Sequence, residues 1–425
     1  MQIKNLKDAI AKGDALKSLY GTDSAVIDAQ KNRYNQLADE FVAAFGDKDL
    51  AVFSSPGRTE IGGNHTDHNH GRVLAGAVNL DNAAIASPNG TNVVRIKSSG
   101  YPQFEVDLNI LTPTRDEFYT SIGLVRGICA RMKELGFQIG GFDAVINSGV
   151  PKGSGLSSSA SFEVLIGAIV SHLFNDGKLD PVLNAQIGQY SENVFFGKPC
   201  GLMDQTACSV GGLVTIDFAD PAKPIVKKVN FDFTKTGYAL VITDTGGNHA
   251  NLNDEYASLP TDMKGVAAKL GKTVLRETTL EQLLDAIPSL REQGVSDRAI
   301  LRAIHFQGDN ARVAKQVEDL EKGDFKAFLK KVCASGQSSF MYNQNIYPIN
   351  NVAEQGLSVA LALSEIVLGD EGAWRVHGGG FAGTIQAFVP MSLLDKYVQT
   401  LEHTFGKGKC HKLFIRPQGS IKVEF

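Results

Sequence analysis

GVPKGSGLSSSA, at residues 149–160, separates two segments whose patterns differ. Residues 140–148 (GGFDAVINS) alternate between apolar and polar side chains, which predicts a half-buried strand. The apolar run at 160–174 predicts a buried helix. A strand, a glycine-serine loop and a helix in this order leave unpaired backbone N–H groups and the positive end of a helix dipole at one point. The stretch therefore predicts an anion site, with phosphate as a suitable ligand.

This loop is not a Walker A motif. The nearest approach to that motif, GVAAKLGKT at 265–273, has one residue too many between its glycines and lies in a helix-like stretch. A flexible surface loop with a serine that caps the following helix is the alternative interpretation of 149–160.

Length and composition bound the class of protein. A chain of 425 residues with 43% hydrophobic residues is too long for one ordinary core, so two domains with a cleft between them are expected. The net charge of -4 comes from well-mixed charges, which disfavours a nucleic-acid partner. The longest apolar run, 162–174, is too short to cross a membrane, and the start of the chain lacks the pattern of a secretory signal. Five widely spaced cysteines indicate reduced thiols in a cytoplasm.

A polar segment follows the short apolar strand predicted at 50–54, which we expect to end at Pro56-Gly57. Arg58, His65 and Asp67 lie within a dozen residues and offer a guanidinium, an imidazole and a carboxylate. Such a mixture can match the donors and acceptors of a sugar. The histidines of 65–70 lack the spacing of a zinc site, so metal binding there is the weaker interpretation.

Two further segments carry candidate residues. ENVFFGKPCGLMDQ, at 192–205, places Glu192 in a helix and Asp204 after a turn, where an N-cap is the structural alternative to a catalytic role. GGGFAG, at 378–383, satisfies the spacing of a dinucleotide loop, but no acidic residue follows at the required distance. We interpret it as a tight turn packed against the first glycine loop.

Three of these segments resemble the three motifs of the GHMP kinase family, in order, and a fourth resembles its catalytic aspartate motif. Residues 56–69, PGRTEIGGNHTDHN, are similar to the galactokinase pattern PGRVNLIGEHTDYN. Residues 150–160 resemble the phosphate loop, GLMDQ at 201–205 the catalytic aspartate motif, and 378–383 the third motif. The similarity runs from about residue 50 to the C-terminus.

The resemblance implies an α+β kinase fold with two domains, 1–235 and 236–425, and an active site in the cleft between them. ATP would be the phosphate donor, used with Mg²⁺, and the anomeric hydroxyl of a galactose-like sugar would be the acceptor. Asp204 would take or stabilise the proton of that hydroxyl. Arg58 would neutralise charge near the transferring phosphoryl group and keep Asp204 ionised.

The same motifs imply the remaining site residues. Those of the sugar pocket would be Asn64, His65, Asp67, Gly201 and Tyr256, with His65 facing the C6 substituent. Those of the ATP site would be Gly153, Ser154, Gly155, Leu156, Ser157, Ser158 and Ser159. Ser158 and Glu192 would contact Mg²⁺.

Among the departures from the galactokinase pattern, two exchange a charged side chain with an amide. Asn64 stands where the pattern has glutamate, and Glu60 stands where it has asparagine. Loss of a negative charge near the C6 end would lessen repulsion of a carboxylate, so galacturonate is an alternative to galactose. In the structural alternative, Asn64 only caps the turn before His65 and does not meet the sugar. A further alternative is a sensor that binds sugar and ATP without turnover. The expected oligomeric state is a monomer.

Overall fold

The structure is a computed structural model that describes residues 1–151, 154–247 and 252–425. Its α-helices are α1 (Ile3–Lys12), α2 (Asp14–Tyr20), α3 (Ser24–Phe45), α4 (Ser121–Glu134), α5 (Ser158–Phe174), α6 (Pro181–Ser191), α7 (Met203–Val210), α8 (Asn253–Lys269), α9 (Leu280–Glu292), α10 (Asp297–Glu321), α11 (Phe325–Ser338), α12 (Gly356–Leu368) and α13 (Leu394–Phe405). Its strands are β1 (Ala51–Gly62), β2 (Arg72–Pro88), β3 (Val93–Ser98), β4 (Phe104–Asp107), β5 (Phe142–Ser148), β6 (Leu213–Asp217), β7 (Ile225–Val229), β8 (Tyr238–Asp244), β9 (Ala373–His377), β10 (Thr384–Pro390), β11 (Cys410–Leu413) and β12 (Ile421–Lys422). Within the described ranges, no helix is long and apolar enough to span a membrane.

The larger sheet is built on the long antiparallel pair of β1 and β2. Its strand order is β12-β1-β2-β5-β3-β4, and β6 pairs with β2 and with β7. Because β2 has 17 residues, its C-terminal half pairs with β5 while its N-terminal part pairs with β6. The helices α4, α5 and α6 bury one core against this sheet, and α1, α2 and α3 bury another. The strand-loop-helix order predicted around 149–160 is confirmed.

Strand β1 runs further than the sequence predicts. The expectation that it ends at Pro56-Gly57 is wrong, because β1 continues to Gly62. Its pairing with β2 shifts register between Pro56 and Arg58, and such a bulge accommodates a proline, which has no N–H to donate. The continuation of the strand carries Arg58 into a buried position.

The smaller sheet has the antiparallel order β11-β8-β10-β9. The chain changes sheets between Val229, which ends β7, and Tyr238, which begins β8. The last strand, β12, returns to the first sheet and pairs with Phe53 and Ser54. One hydrophobic cluster joins the two sheets, with Leu74 on one side and Phe388 on the other. The α+β class is confirmed, and the boundary between 1–235 and 236–425 stays a prediction.

A buried ion cluster connects the N-terminal helices, the first sheet and the C-terminal segment. The carboxylate of Asp81 accepts hydrogen bonds from Arg33 at 2.7 Å, Tyr20 at 2.6 Å and Arg416 at 3.3 Å. The side chain of Asp81 is fully buried. Burial alone would raise the pKa of Asp81, but the two guanidinium groups outweigh burial and hold this pKa below its usual value. One carboxylate therefore compensates a fully buried cation, Arg416, and a half-buried one, Arg33.

We predict that Asp81→Asn lowers the free energy of unfolding by about 3 kcal/mol, since removal of one partner leaves buried charge uncompensated. Urea unfolding followed by circular dichroism measures it. Asp28→Asn is the control, because Asp28 pairs with Lys31 at 3.4 Å while 70% of its side chain is exposed. An exposed pair contributes at most about 1 kcal/mol. Equal effects of the two substitutions would contradict the role of the cluster.

Candidate active site

The first glycine loop lies between β5 and α5, as predicted. The residue before α5 is Ser157, whose backbone is left-handed with φ 56° and whose side chain makes no capping hydrogen bond. The N–H groups of the first turn of α5 therefore have no side-chain cap from Ser157. Ser157 therefore does not cap α5 with its side chain, contrary to the alternative interpretation. The free N–H groups at the helix N-terminus suit the binding of an anion.

Arg58 and Asp204 form a two-point ion pair beside this helix end. Nε of Arg58 donates to Oδ1 of Asp204 at 2.8 Å, and Nη2 donates to Oδ2 at 2.6 Å. The hydroxyl of Ser157 also donates to Oδ2, and the remaining Nη1 of Arg58 donates to the carbonyl of Gly155. Asp204, at the start of α7, thus contacts Arg58 of the first motif and Ser157 of the phosphate loop.

The pair is buried on the arginine side and open on the aspartate side, with side-chain exposures of 9% and 33%. Burial alone would lower the pKa of Arg58, but the carboxylate of Asp204 outweighs it and leaves this pKa raised. Arg58 is therefore a permanent cation. The N-cap of α7 is Leu202, so Asp204 does not fill the capping role that was its structural alternative.

Asp67 and Gly201 lie next to each other. A Cβ atom built on Gly201 would lie 2.9 Å from Oδ2 of Asp67, so a side chain at 201 would displace this carboxylate. Oδ1 of Asp67 accepts from the N–H of His68 at 2.9 Å, and the side chain is 20% exposed. This arrangement leaves Asp67 partly open beside the segment that carries Asp204.

The third glycine segment is a hairpin loop between β9 and β10, without a helix after it. Rejection of the dinucleotide interpretation is therefore confirmed, as is packing against the first glycine loop. Thr384 donates to the carbonyl of Ser154 at 3.4 Å. A Cβ atom on Gly155, whose φ is 71°, would lie 3.1 Å from Nδ1 of His377.

Three residues expected in the sugar pocket bind the carbonyls of this loop instead of lying free. Nδ2 of Asn64 donates to Gly378 at 2.9 Å, and the phenol of Tyr256 donates to Gly380 at 2.9 Å. The carbonyl of Gly379 accepts from Nε2 of His65 at 2.9 Å. Asn64 is fully buried, and the partners of its side chain lie at Glu60, Gly378, Ser339 and Asn345 rather than in the turn before His65.

Sequence reasoning missed Asn345, which donates to the carbonyl of Gly379 at 3.1 Å and to Oδ1 of Asn64 at 2.9 Å. It follows a π-helical turn, Ser339–Asn343, in a stretch without a recognisable motif. No local signal could have identified it.

His65 is a neutral ring with a defined tautomer. Since a carbonyl only accepts, Nε2 must carry the proton that binds Gly379. Burial and the neighbouring His68 lower the pKa of His65 to about 4, so the ring is uncharged at neutral pH. Its Nδ1 is then a hydrogen-bond acceptor.

Glu192 lies in a second π-helical turn, Glu192–Phe196, and is buried. Its carboxylate and that of Glu163, on α5, accept from the same amide nitrogen of Gln205, each at 2.9 Å. Burial and the charge of Glu192 raise the pKa of Glu163 well above its usual value. Sequence reasoning did not single out Glu163. No cluster of three or more His, Cys, Asp or Glu side chains suited to a metal ion occurs among the described residues.

The remaining ATP-site residues occupy different environments. Ser154 is buried and donates to the carbonyl of Pro151 at 2.7 Å, and Leu156 is buried and accepts from the N–H of Arg58 at 3.0 Å. Ser158 is half-buried and Ser159 is exposed at the start of α5. Gly153 lies outside the described residues.

Comparisons with known proteins identify two family models that match parts of this chain. Residues 123–212 match the family described as GHMP kinases N terminal domain, and residues 39–88 match the Galactokinase galactose-binding signature. The chain is 29% identical over 373 residues to a galactokinase of Clostridium tetani, which covers 88% of this chain and 92% of that protein. A galactokinase of Streptomyces coelicolor is 29% identical over 374 residues, covering 87% and 92%.

The crystal structure of Lactococcus lactis galactokinase complexed with galactose has the same fold, with a TM-score of 0.77 and 23% identity, covering 92% of this chain and 100% of that one. Fold, motifs and family matches together indicate the class: residues 123–212 match the GHMP kinase N-terminal domain, and the chain is similar over most of its length to two galactokinases. The N-terminal signature and both of these relatives make the chain similar specifically to galactokinases.

Proposed function

We propose that this chain is an ATP-dependent sugar 1-kinase that converts D-galactose to α-D-galactose 1-phosphate. The observation that carries the proposal is the Arg58–Asp204 pair beside the uncapped N-terminus of α5. One face of Asp204 is held by a cation while its other face is open, which is what an acceptor of a hydroxyl proton requires. The N-terminus of α5 supplies the adjacent site for phosphate.

In the proposed reaction the anomeric oxygen of the sugar attacks the γ-phosphorus of ATP. A new O–P bond forms, the bond between that phosphorus and the β-bridging oxygen breaks, and ADP leaves. The proton of the anomeric hydroxyl passes to Asp204. Arg58 orients Asp204 through two hydrogen bonds and lies where negative charge develops on the transferring group. Asp67, next to Gly201, is placed to bind ring hydroxyls.

The residues around α5 fit Mg²⁺ in chemical type, since this ion takes oxygen ligands. The carboxylates of Glu163 and Glu192 are held together by Gln205, and Oε1 of Glu163 is buried without a hydrogen-bond partner among the described residues. Ser158 and Glu192 would hold the ion. When bound with ATP it would neutralise phosphate charge and so favour phosphoryl transfer.

The state of His65 favours galactose over galacturonate. If the C6 end of the sugar meets His65, as the resemblance implies, then Nδ1 accepts a hydrogen bond from a C6 hydroxyl. A C6 carboxylate offers only acceptors and would oppose the lone pair of Nδ1. Asn64 does not enter this comparison, because its amide is occupied within the protein.

We predict that catalytic efficiency on galactose exceeds that on galacturonate by about tenfold or more, which requires only about 1.4 kcal/mol of differential binding. A coupled assay of ADP release with Mg²⁺ and galactose, galacturonate, N-acetylgalactosamine, arabinose and glucose measures it. Phosphorus NMR of the product identifies the phosphorylated position. No ADP with any sugar would contradict the proposed function, whereas equal efficiency on galacturonate would contradict only the role given to His65.

A further inference from the structure

Glu60 and Asn64, four residues apart in the first motif, are in direct contact. Nδ2 of Asn64 donates to Oε1 of Glu60 at 3.0 Å, and the same oxygen accepts from Nη2 of Arg375 at 2.7 Å. Glu60 is 5% exposed, and Asn64 and Arg375 are fully buried. The contact thus joins β1 to β9 through one buried carboxylate and one buried cation.

The side chain of Asn64 makes four hydrogen bonds, two from each polar atom. Nδ2 donates to Glu60 and to the carbonyl of Gly378. Oδ1 accepts from Asn345 at 2.9 Å and from the hydroxyl of Ser339 at 3.2 Å. An amide has two donors and two lone pairs, so its hydrogen-bonding capacity is fully used.

Only an amide satisfies this site. A carboxylate at position 64 would keep the two bonds at Oδ1, but it would place acceptor oxygens against both Glu60 and the carbonyl of Gly378. Two carboxylates so close cannot both be ionised without a large cost. The cluster therefore accommodates one carboxylate, and the galactokinase pattern, with asparagine at 60 and glutamate at 64, carries the same two groups in exchanged order.

We propose that Glu60 and Asn64 act as a positioning pair, in which the charge sits at position 60 against Arg375 so that the amide at 64 can hold the glycine loop 378–380. Its effect on turnover rests on the proposed function; its effect on the fold does not. Thr384, which begins β10 shortly after this loop, contacts Ser154 of the phosphate loop, so displacement of Gly378 would disturb the ATP side of the site through β10.

Several charged or titratable groups surround the pair. Asp309 and His305, on α10, bind the N–H and the carbonyl of Asn64, at 2.8 Å and 2.9 Å. Burial lowers the pKa of His305, which is therefore neutral near pH 7. The other groups acting on Glu60 are Arg58, Asp67 and Arg375. Burial raises the pKa of Glu60, although Arg375 and Arg58 act to lower it. A second carboxylate would therefore add negative charge where one carboxylate is already disfavoured.

The test is Asn64→Asp, which keeps the shape and removes the donors. We expect catalytic efficiency at about pH 8 to fall by about tenfold or more, and to recover partly towards about pH 6, where a shared proton supplies an O–H donor between the carboxyls. The exchange variant Glu60→Gln/Asn64→Asp has a single carboxylate, to which the new amide at position 60 can donate. The exchange variant should not show the recovery of catalytic efficiency between about pH 8 and about pH 6. Wild-type protein should not show this recovery either.

Thermal unfolding of the same proteins provides a readout that needs no kinase activity. The melting temperature of Asn64→Asp, relative to wild type, should rise as pH falls, and that of the exchange variant should not. An Asn64→Asp protein equal to wild type in activity and stability would overturn the proposal, as would a pH dependence that persists in the exchange variant. Because unfolding does not depend on turnover, failure of the proposed function would be recognised separately.

If Asn64→Asp does not fold, Asn345→Ala tests the same arrangement without adding charge. It removes one donor from the carbonyl of Gly379 and one from Oδ1 of Asn64. We expect the Michaelis constant for ATP to rise by about threefold or more with no change in its pH profile, since only a neutral hydrogen bond is lost. Unchanged constants in a folded protein would overturn the proposal.

Discussion

Asp204→Asn should keep the fold and ATP binding and lose turnover by about a hundredfold or more, the range for a positioned proton acceptor. The amide has nearly the same shape and its oxygen can still accept one of the two hydrogen bonds from Arg58, so binding of ATP and sugar should change little. What it cannot do is take the proton of the anomeric hydroxyl. Turnover by the coupled assay, together with ATP affinity by calorimetry, separates these effects.

The matched control is Asp143→Asn. Asp143 also receives two hydrogen bonds from one arginine, Arg95, at 2.7 Å and 3.0 Å, but lies on β5 outside the proposed site. Its substitution should affect stability without affecting turnover. Near wild-type turnover of Asp204→Asn would refute the catalytic role and leave Asp204 as a structural residue of α7.

Arg58→Ala should lower catalytic efficiency by about a thousandfold, because a cation next to a transferring phosphoryl group contributes at least that much in related chemistry. The substitution also removes the group that orients Asp204, and the bond from Nη1 to Gly155. Arg58→Lys should recover only part of the loss, since an ammonium group cannot donate to both carboxylate oxygens in the same plane.

Arg95→Ala provides the comparison, because it breaks a two-point arginine–carboxylate pair of the same type on β3 and β5. We expect wild-type catalytic efficiency for it. Circular dichroism of each variant verifies folding before the rates are compared. If both arginine substitutions lower efficiency equally, the effect of Arg58 reflects general stability and the electrostatic role fails.

The local features of the site could be predicted because they depend on neighbours in sequence. Strand, loop and helix around 149–160 follow from periodicity and from the glycines, which need few distant contacts. The second and third motifs were likewise recognised from short patterns. The extent of β1 was not predicted, because a proline in a strand is accommodated by a bulge that only pairing with β2 reveals.

The sequence by itself determined the class of fold and the order of the motifs, and it predicted Arg58 and Asp204 as the catalytic residues. Only the tertiary structure decided how the neighbouring side chains of the first motif are used. The side chain of Asn64 binds Gly378 and Asn345, which lie 314 and 281 positions further along the chain. Asp67 stays partly exposed beside Gly201. The reason is physical: a buried amide takes the orientation that satisfies its donors and acceptors, and here those partners come from distant segments that no local pattern specifies.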